Sequence, residues 1–336
     1  MRKYKIKRWL TWEFAPTWVT YFPVAIYYHY LALRVGCWGF FAAVNPSLFM
    51  GGMFGESKMH ILSKIPQKYL PHTSFIPEKI SVAVLADLMK VHSLSFPIIL
   101  KPDCGERGKG VEKINSLEEA EKYLLSGTYP LLMQSFLSSP EEYGVMYVRF
   151  PHEKKGRVTS ITKKEYLYVI GDGVSNLAEL FHQFERTQFH YEMLMELFSG
   201  ELGEVLPKGE KRTLVSIGNH VRGTTFLNYN HLITKDLGEV FDPIADAFEG
   251  FYFGRFDLKT ESWAELLKGN FKVMELNGVA SEPAHIYQPQ YNILQAYQDL
   301  FQHWHTASQI AHLNYQHGEQ KIPAKELIQH LKAHFL

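Results

Sequence analysis

The sequence predicts an α+β protein built in two lobes, on three observations. An apolar run from Phe96 to Leu100 ends in Lys101 and passes into a loop with glycines at 105, 108 and 110, the pattern of a buried strand that delivers a cation to a turn. Further on, Arg255, Asp257 and Lys259 alternate with Phe256 and Leu258, and Glu275 and Asn277 alternate with Met274 and Leu276. This period of two marks adjacent strands with one apolar and one polar face. Finally, Leu294, Tyr297, Leu300, Phe301, Trp304 and Ile310 recur at helical spacing, so residues 291–335 are expected to be helices that close the larger lobe.

Before these elements comes a segment of different character. Arg2, Lys3, Lys5, Lys7 and Arg8 precede two stretches without a formal charge, Phe14 to Leu33 and Val35 to Phe54, separated by Arg34. Each is about as long as a bilayer span, ~20 residues. Pro16, Pro23, Asn45-Pro46 and Gly51-Gly52 argue against spanning, because lipid leaves freed backbone groups without partners. Trp9, Trp12, Trp18, Tyr21, Phe22 and Tyr27 are residue types that settle at headgroup depth, and the basic start favours an anionic leaflet. A membrane-surface element is therefore expected, with a core helix rich in rings as the competing reading. A secretory signal is not expected, since the apolar region is long, broken by proline and lacks a clean cleavage site.

Composition excludes more than it assigns. The 336 residues suffice for two or three lobes. The 35 basic and 35 acidic residues cancel, which suggests no nucleic-acid partner. Cys37 and Cys104 cannot make a disulfide scaffold, and the cluster His303, His305, His312 and His317 falls in the terminal helical region, where a zinc site is not expected.

The chemistry lies in the two strand segments. Glycines at 105, 108 and 110 allow backbone N–H groups to close on phosphate oxygens, with Lys101 beside them; a solvated strand end is the bland alternative for Lys101. Asp257, Glu275 and Asn277 on two adjacent strands offer three hard oxygen donors, a magnesium-type set. Arg255, on the same face as Asp257, can meet phosphate or carboxylate in a bidentate, planar contact. Asp172-Gly173 with Ser175 or Asn176 reads as a tight turn and a helix cap without catalytic role.

In this order the segments resemble the ATP-grasp superfamily, and within it the carboxylate-amine ligases, over roughly residues 56 to 290. The resemblance implies two lobes with the nucleotide between them: an aromatic region at 1–55, a central lobe at 56–133 and a C-terminal lobe at 134–336. It implies that Lys58 and Lys101 contact ATP phosphates and that the loop with Arg107, Gly108 and Lys109 covers them. Met133, Gln134, Ser135 and Phe136 would line the adenine slot, and Glu142, or Glu141 in another register, would hold the ribose. Asn219, His220 and Arg222 fall where such ligases place a substrate-facing loop, with Arg222 a candidate to grip an anionic group. Ser281, Glu282 and His285 are candidates to orient the acceptor, Arg255 to stabilise transition-state charge, and Arg149 is second choice for that role. The implied cofactors are ATP and Mg2+, and the implied partners are a small-molecule carboxylate and an amine. The expected location is the cytoplasm, at the inner face of the membrane. The expected reaction is carbon–nitrogen ligation through an acyl phosphate, on a substrate read from the aromatic start as amphiphilic; an ATP-grasp phosphotransferase and a non-catalytic nucleotide-binding protein are the other readings.

Overall fold

The computed structural model describes residues 11–105, 108–126, 129–218 and 222–335. Its strands are β1 (Thr73–Ile76), β2 (Ile98–Pro102), β3 (Glu112–Ile114), β4 (Leu131–Ser135), β5 (Glu141–Val148), β6 (Arg157–Glu165), β7 (Tyr168–Ile170), β8 (Lys211–Thr213), β9 (Thr225–Asn228), β10 (Phe253–Thr260) and β11 (Lys272–Asn277). Its helices are α1 (Thr17–Val35), α2 (Lys58–Lys64), α3 (Val82–Val91), α4 (Leu117–Ser126), α5 (Leu177–Gln183), α6 (Glu185–Phe189), α7 (Tyr191–Leu197), α8 (Asp242–Ala247), α9 (Trp263–Leu267), α10 (Ile293–Gln316) and α11 (Ala324–Phe335).

Two antiparallel sheets carry the two lobes. The smaller has strand order β1-β4-β2-β3 and buries Ile98, Leu100, Leu131 and Met133 against Leu85, Met89 and Leu124 of α3 and α4. The larger has order β11-β10-β5-β6-β9. Its period-two alternation puts Tyr143, Val145, Tyr147, Phe256 and Leu258 into one core, leaving Glu142, Arg255, Asp257 and Lys259 on the opposite face. Two antiparallel sheets with a cavity between them give the two-lobed α+β arrangement expected from the sequence. Helix α2 and the following turn send Ile61, Leu62, Ile65 and Tyr69 into the core of the larger sheet.

Between β6 and β9 the chain inserts a small unit, β7 and β8 with α5 to α7, around Leu167, Val169, Leu180, Phe181 and Leu194. Its entry is the expected turn and cap. The Asp172 carboxylate accepts from the Val174 and Ser175 N–H groups, and Asn176 with Glu179 forms a capping box on α5.

The aromatic N-terminal segment is part of the larger lobe. Helix α1 lies along α10, and Leu31, Phe40, Phe41 and Val44 share a core with Met146, Val148, Phe253, Ala307 and Ile310. Among the described residues no helix is long and apolar enough to cross a membrane. Asn45 ties this segment to the larger sheet. Its Nδ2 donates to the carbonyls of Gly51 at 2.9 Å and Phe253 at 2.8 Å, and its Oδ1 accepts from Tyr252 and Phe253 N–H, both at 2.9 Å. Gly51 and Gly52, both at positive φ, then accept from Val279 and Ala280 N–H, and a Cβ on Gly278 would lie 2.5 Å from the Gly51 oxygen. The loop that follows β11 is therefore held by residues near the chain start. Asn45→Ala strands several buried backbone groups and is expected to cost about 3 kcal/mol, read as a lowered urea midpoint at unchanged m-value.

Candidate active site

A cavity of about 800 Å³ lies between the lobes. The small lobe supplies Lys101 at the end of β2, Gly105 and Gly108 of the glycine loop, and Gln134 to Leu137 running out of β4. The larger sheet supplies Glu142, Lys164, Arg255, Asp257, Lys259, Glu275 and Asn277, and α2 begins at Lys58 on its wall. The far wall is made by Thr17, Thr20 and Tyr21 of α1 against Ser281, Glu282 and Tyr287.

Register brings the acidic strands together. Asp257 pairs with Glu275 and Arg255 with Asn277 across β10 and β11, with a bulge just after Asp257. The Arg255 guanidinium donates to both Asp257 oxygens at 3.1 Å, Asn277 Nδ2 donates to Asp257 Oδ2 at 3.2 Å, and Lys164 Nζ stands 3.4 Å from Oδ1. Burial alone would raise the Asp257 carboxyl; Arg255 and Lys164 outweigh it and hold the group below the usual carboxylate range. Glu275 is freer, its side chain about a third exposed, with Lys58 Nζ 4.0 Å away. Two carboxylates paired across strands with an amide oxygen beside them are a donor set that fits magnesium, hard and oxygen-only. No cluster of three or more His, Cys, Asp or Glu fit for a metal occurs among the described residues; the oxygen beside the two carboxylates is that of the Asn277 amide.

The cations are positioned by neutral oxygens. Lys101 Nζ donates to Gln134 Oε1 at 3.2 Å and to the Met274 carbonyl at 3.0 Å, a contact from one lobe to the other. Gln134 is fixed in turn by donating to Thr73 Oγ1 at 2.9 Å. Burial lowers the Lys101 ammonium to about 8, with Lys58 adding to the effect and Glu275 opposing it. Lys58 Nζ donates to the Gly105 carbonyl at 2.6 Å, while Asp103 Oδ1 accepts from Met59 N–H at 2.7 Å, so the glycine loop and the start of α2 hold each other.

On the opposite wall Glu142 accepts from Lys164 at 2.9 Å and from the Tyr166 hydroxyl, and Gly218 packs so closely that a Cβ there would lie 2.4 Å from Glu142 Oε1. Glu141 points to the other face of the sheet, bonded to Lys163 and Tyr143. Of the two registers left open by the sequence, the cavity receives Glu142. Phe136 carries Lys113 at 4.4 Å and Lys259 at 5.4 Å over its ring.

Other candidates lie elsewhere. Arg222 is outside the cavity wall and donates to the Val111 carbonyl at 3.3 Å, and Met133 points into the small-lobe core. His285 is buried between Ser160 at 2.7 Å and Asp299 at 3.2 Å. Arg149 is spent on Asp246 and the Ala245 carbonyl and does not line the cavity. Arg107, Asn219 and His220 lie outside the described residues. Sequence reasoning missed Lys164, Tyr166 and Gly218, and the wall built by α1. The alternation of β6 was a signal for Lys164, whereas no local pattern could place α1 opposite Glu282.

No protein-family model matches the sequence, and no curated protein matches it. Some solved structures are similar to it in part. D-alanine–D-alanine ligase from Bacillus anthracis is similar at 12% identity and a TM-score of 0.46 over 81% of this chain and 72% of that one. VanG D-Ala:D-Ser ligase from Enterococcus faecalis is similar at 11% and 0.43 over 78% and 62%, and a bifunctional glutathione synthetase from Pasteurella multocida at 14% and 0.37 over 73% and 36%. The chain thus spans under two thirds of the last two. Scores this low say nothing of ligands, so the roles of residues rest on this chain's own side chains.

Proposed function

We propose that this chain is an ATP-dependent ligase that activates a carboxylate as an acyl phosphate and joins it to an amine. The observation that supports it is a single cavity in which Lys58 and Lys101 face the paired carboxylates Asp257 and Glu275, with Arg255 on the same strand as Asp257. That is a polyphosphate cradle opposite a divalent-cation set, and phosphoryl transfer asks little more of a protein than such positioning and charge.

In this reading Gln134 to Leu137 flank the adenine, and Glu142, held by Lys164 and Tyr166, accepts from the ribose hydroxyls. Lys101 and Lys58 grip phosphate oxygens, with the glycine loop above them. Asp257, Glu275 and Asn277 would hold magnesium, which would neutralise charge on the transferring phosphoryl group. Arg255 faces the same point, and its guanidinium would meet the substrate carboxylate or the γ-phosphate.

The acceptor carboxylate oxygen attacks the γ-phosphorus, the bond to the β–γ bridging oxygen breaks, and ADP leaves. The amine nitrogen then attacks the acyl carbon, phosphate departs and the amine loses a proton. Glu282, whose Oε2 accepts from the Tyr287 hydroxyl at 2.7 Å and whose carbonyl accepts from Arg255 at 3.1 Å, is the carboxylate placed to hold that amine.

The test is magnesium-dependent ADP release across pools of amino acids and acyl acids, with and without hydroxylamine. Release that requires an acid and yields a hydroxamate is the expected result. ADP release with a stable phosphorylated product and no hydroxamate would assign a phosphotransferase instead.

A further inference from the structure

Helix α1 has two faces that do different work. One is packed: Thr20, Val24, Leu31 and Ala32 are buried, Tyr27 lies 4.9 Å from Phe301, and the Tyr297 hydroxyl donates to the Val19 carbonyl at 2.6 Å. The other carries Trp18, Phe22, Ile26 and Leu33, which are 73, 65, 61 and 69% exposed, with Tyr30 and Trp38 continuing the stripe. Their spacing, close to every fourth residue, lines them along a single side. An exposed helix face in a soluble protein is normally polar, yet no charged residue occurs from Phe14 to Leu33. A contiguous apolar stripe of this kind marks a docking surface.

Beside the stripe, α1 and α10 enclose an apolar groove of about 600 Å³ between Pro23, Tyr27, Tyr297 and Phe301, and Leu294 at its rim is largely exposed. The first turns of the same helix present Thr17, Thr20 and Tyr21 to the active-site cavity. The stripe, the groove and the substrate end of the cavity are thus carried by one helix.

We propose that this face docks on an anionic membrane surface, with α1 lying in the headgroup plane. Two features select a bilayer over a protein partner. The exposed side chains are dominated by Trp, Phe, Tyr and Ile, the types that settle at the interface. The sequence immediately before them reads Arg2, Lys3, Lys5, Lys7 and Arg8 with no acidic residue before Glu13, a charge complement to anionic headgroups. Docking this way sets the cavity one helix away from the lipid surface, since Thr17, Thr20 and Tyr21 line it from the side of α1 that faces away from the stripe. Resting on the ligase reading, it assigns the substrate class: an amphiphile whose reacting carboxylate or amine is carried at headgroup level.

The experiment is co-sedimentation of the full chain with vesicles of phosphatidylcholine, alone or mixed with phosphatidylglycerol, for wild type and for Phe22→Ser with Ile26→Ser. Both substituted side chains are exposed and outside the cavity wall. Wild type is expected to bind the mixed vesicles, more weakly as salt is raised, and the double variant to lose at least about tenfold in affinity while its circular dichroism and ATP binding stay the same. As a second readout, Trp18 fluorescence is quenched by brominated lipid in the wild type and the quenching falls in Trp18→Phe. Wild type left in the supernatant with both lipids, or a dimer that the double variant converts to monomer, overturns membrane docking, the latter in favour of a second copy on the stripe. Vesicle binding by a protein that calorimetry shows not to bind ATP upholds docking and removes the ligase reading alone.

Discussion

Glu275→Gln abolishes magnesium-dependent ADP release, by about a hundredfold or more, and leaves the protein folded. The substitution keeps the shape of the side chain and removes only the charge that a divalent cation needs. Its environment makes it a clean probe. Glu275 is partly solvated, its neighbouring cation Lys58 is 4.0 Å away, and Lys58 is independently anchored on the Gly105 carbonyl. Stability is therefore expected within about 0.5 kcal/mol of wild type. Steady-state ADP release beside urea unfolding checks both halves. Turnover near wild type would remove Glu275 from the metal set.

Asp257→Asn should do more, because there the same change of charge falls on a buried network. Asp257 neutralises Arg255 through two hydrogen bonds and Lys164 through a third contact, and all three side chains are largely buried. An amide at this position leaves two cations facing one another with only Glu142 in reach of Lys164. Breaking a buried pair from one side costs about 3–5 kcal/mol, so this variant is expected to lose both turnover and a large part of its stability. Thermal unfolding with and without Mg2+-ATP measures the difference. If Asp257→Asn unfolds like the wild type, the ion pair is not what holds β10 beneath the cavity, and the arginine is mobile in the free protein.

The contrast between these variants shows what could be read from the sequence. That Asp257, Glu275 and Asn277 share a face followed from alternation alone, because a strand's side chains have a period of two and Phe256, Leu258 and Leu276 had to be buried. That Asp257 lies opposite Glu275, and that Arg255 spends itself on Asp257, depended on register and on a bulge, which one strand's sequence does not encode. Likewise the lysine at the end of β2 was legible, while its partners were not. Gln134 comes from a neighbouring strand and Met274 from the other lobe.

By itself, then, the sequence determined the α+β class, the two strands with their polar face, the glycine loop after Lys101, the turn and cap at Asp172 to Asn176, and the closing helices, all of which are local patterns enforced by backbone period and burial. Tertiary structure alone decided that Glu142 rather than Glu141 enters the cavity, that Lys164 and Tyr166 hold it, and that Asn45 braces the loop after β11 from far along the chain. It also decided the part played by the aromatic start, whose composition fits a packed core and a membrane surface alike. One face of α1 took the first role and the other was left exposed, since α10 could cover only one side of the helix.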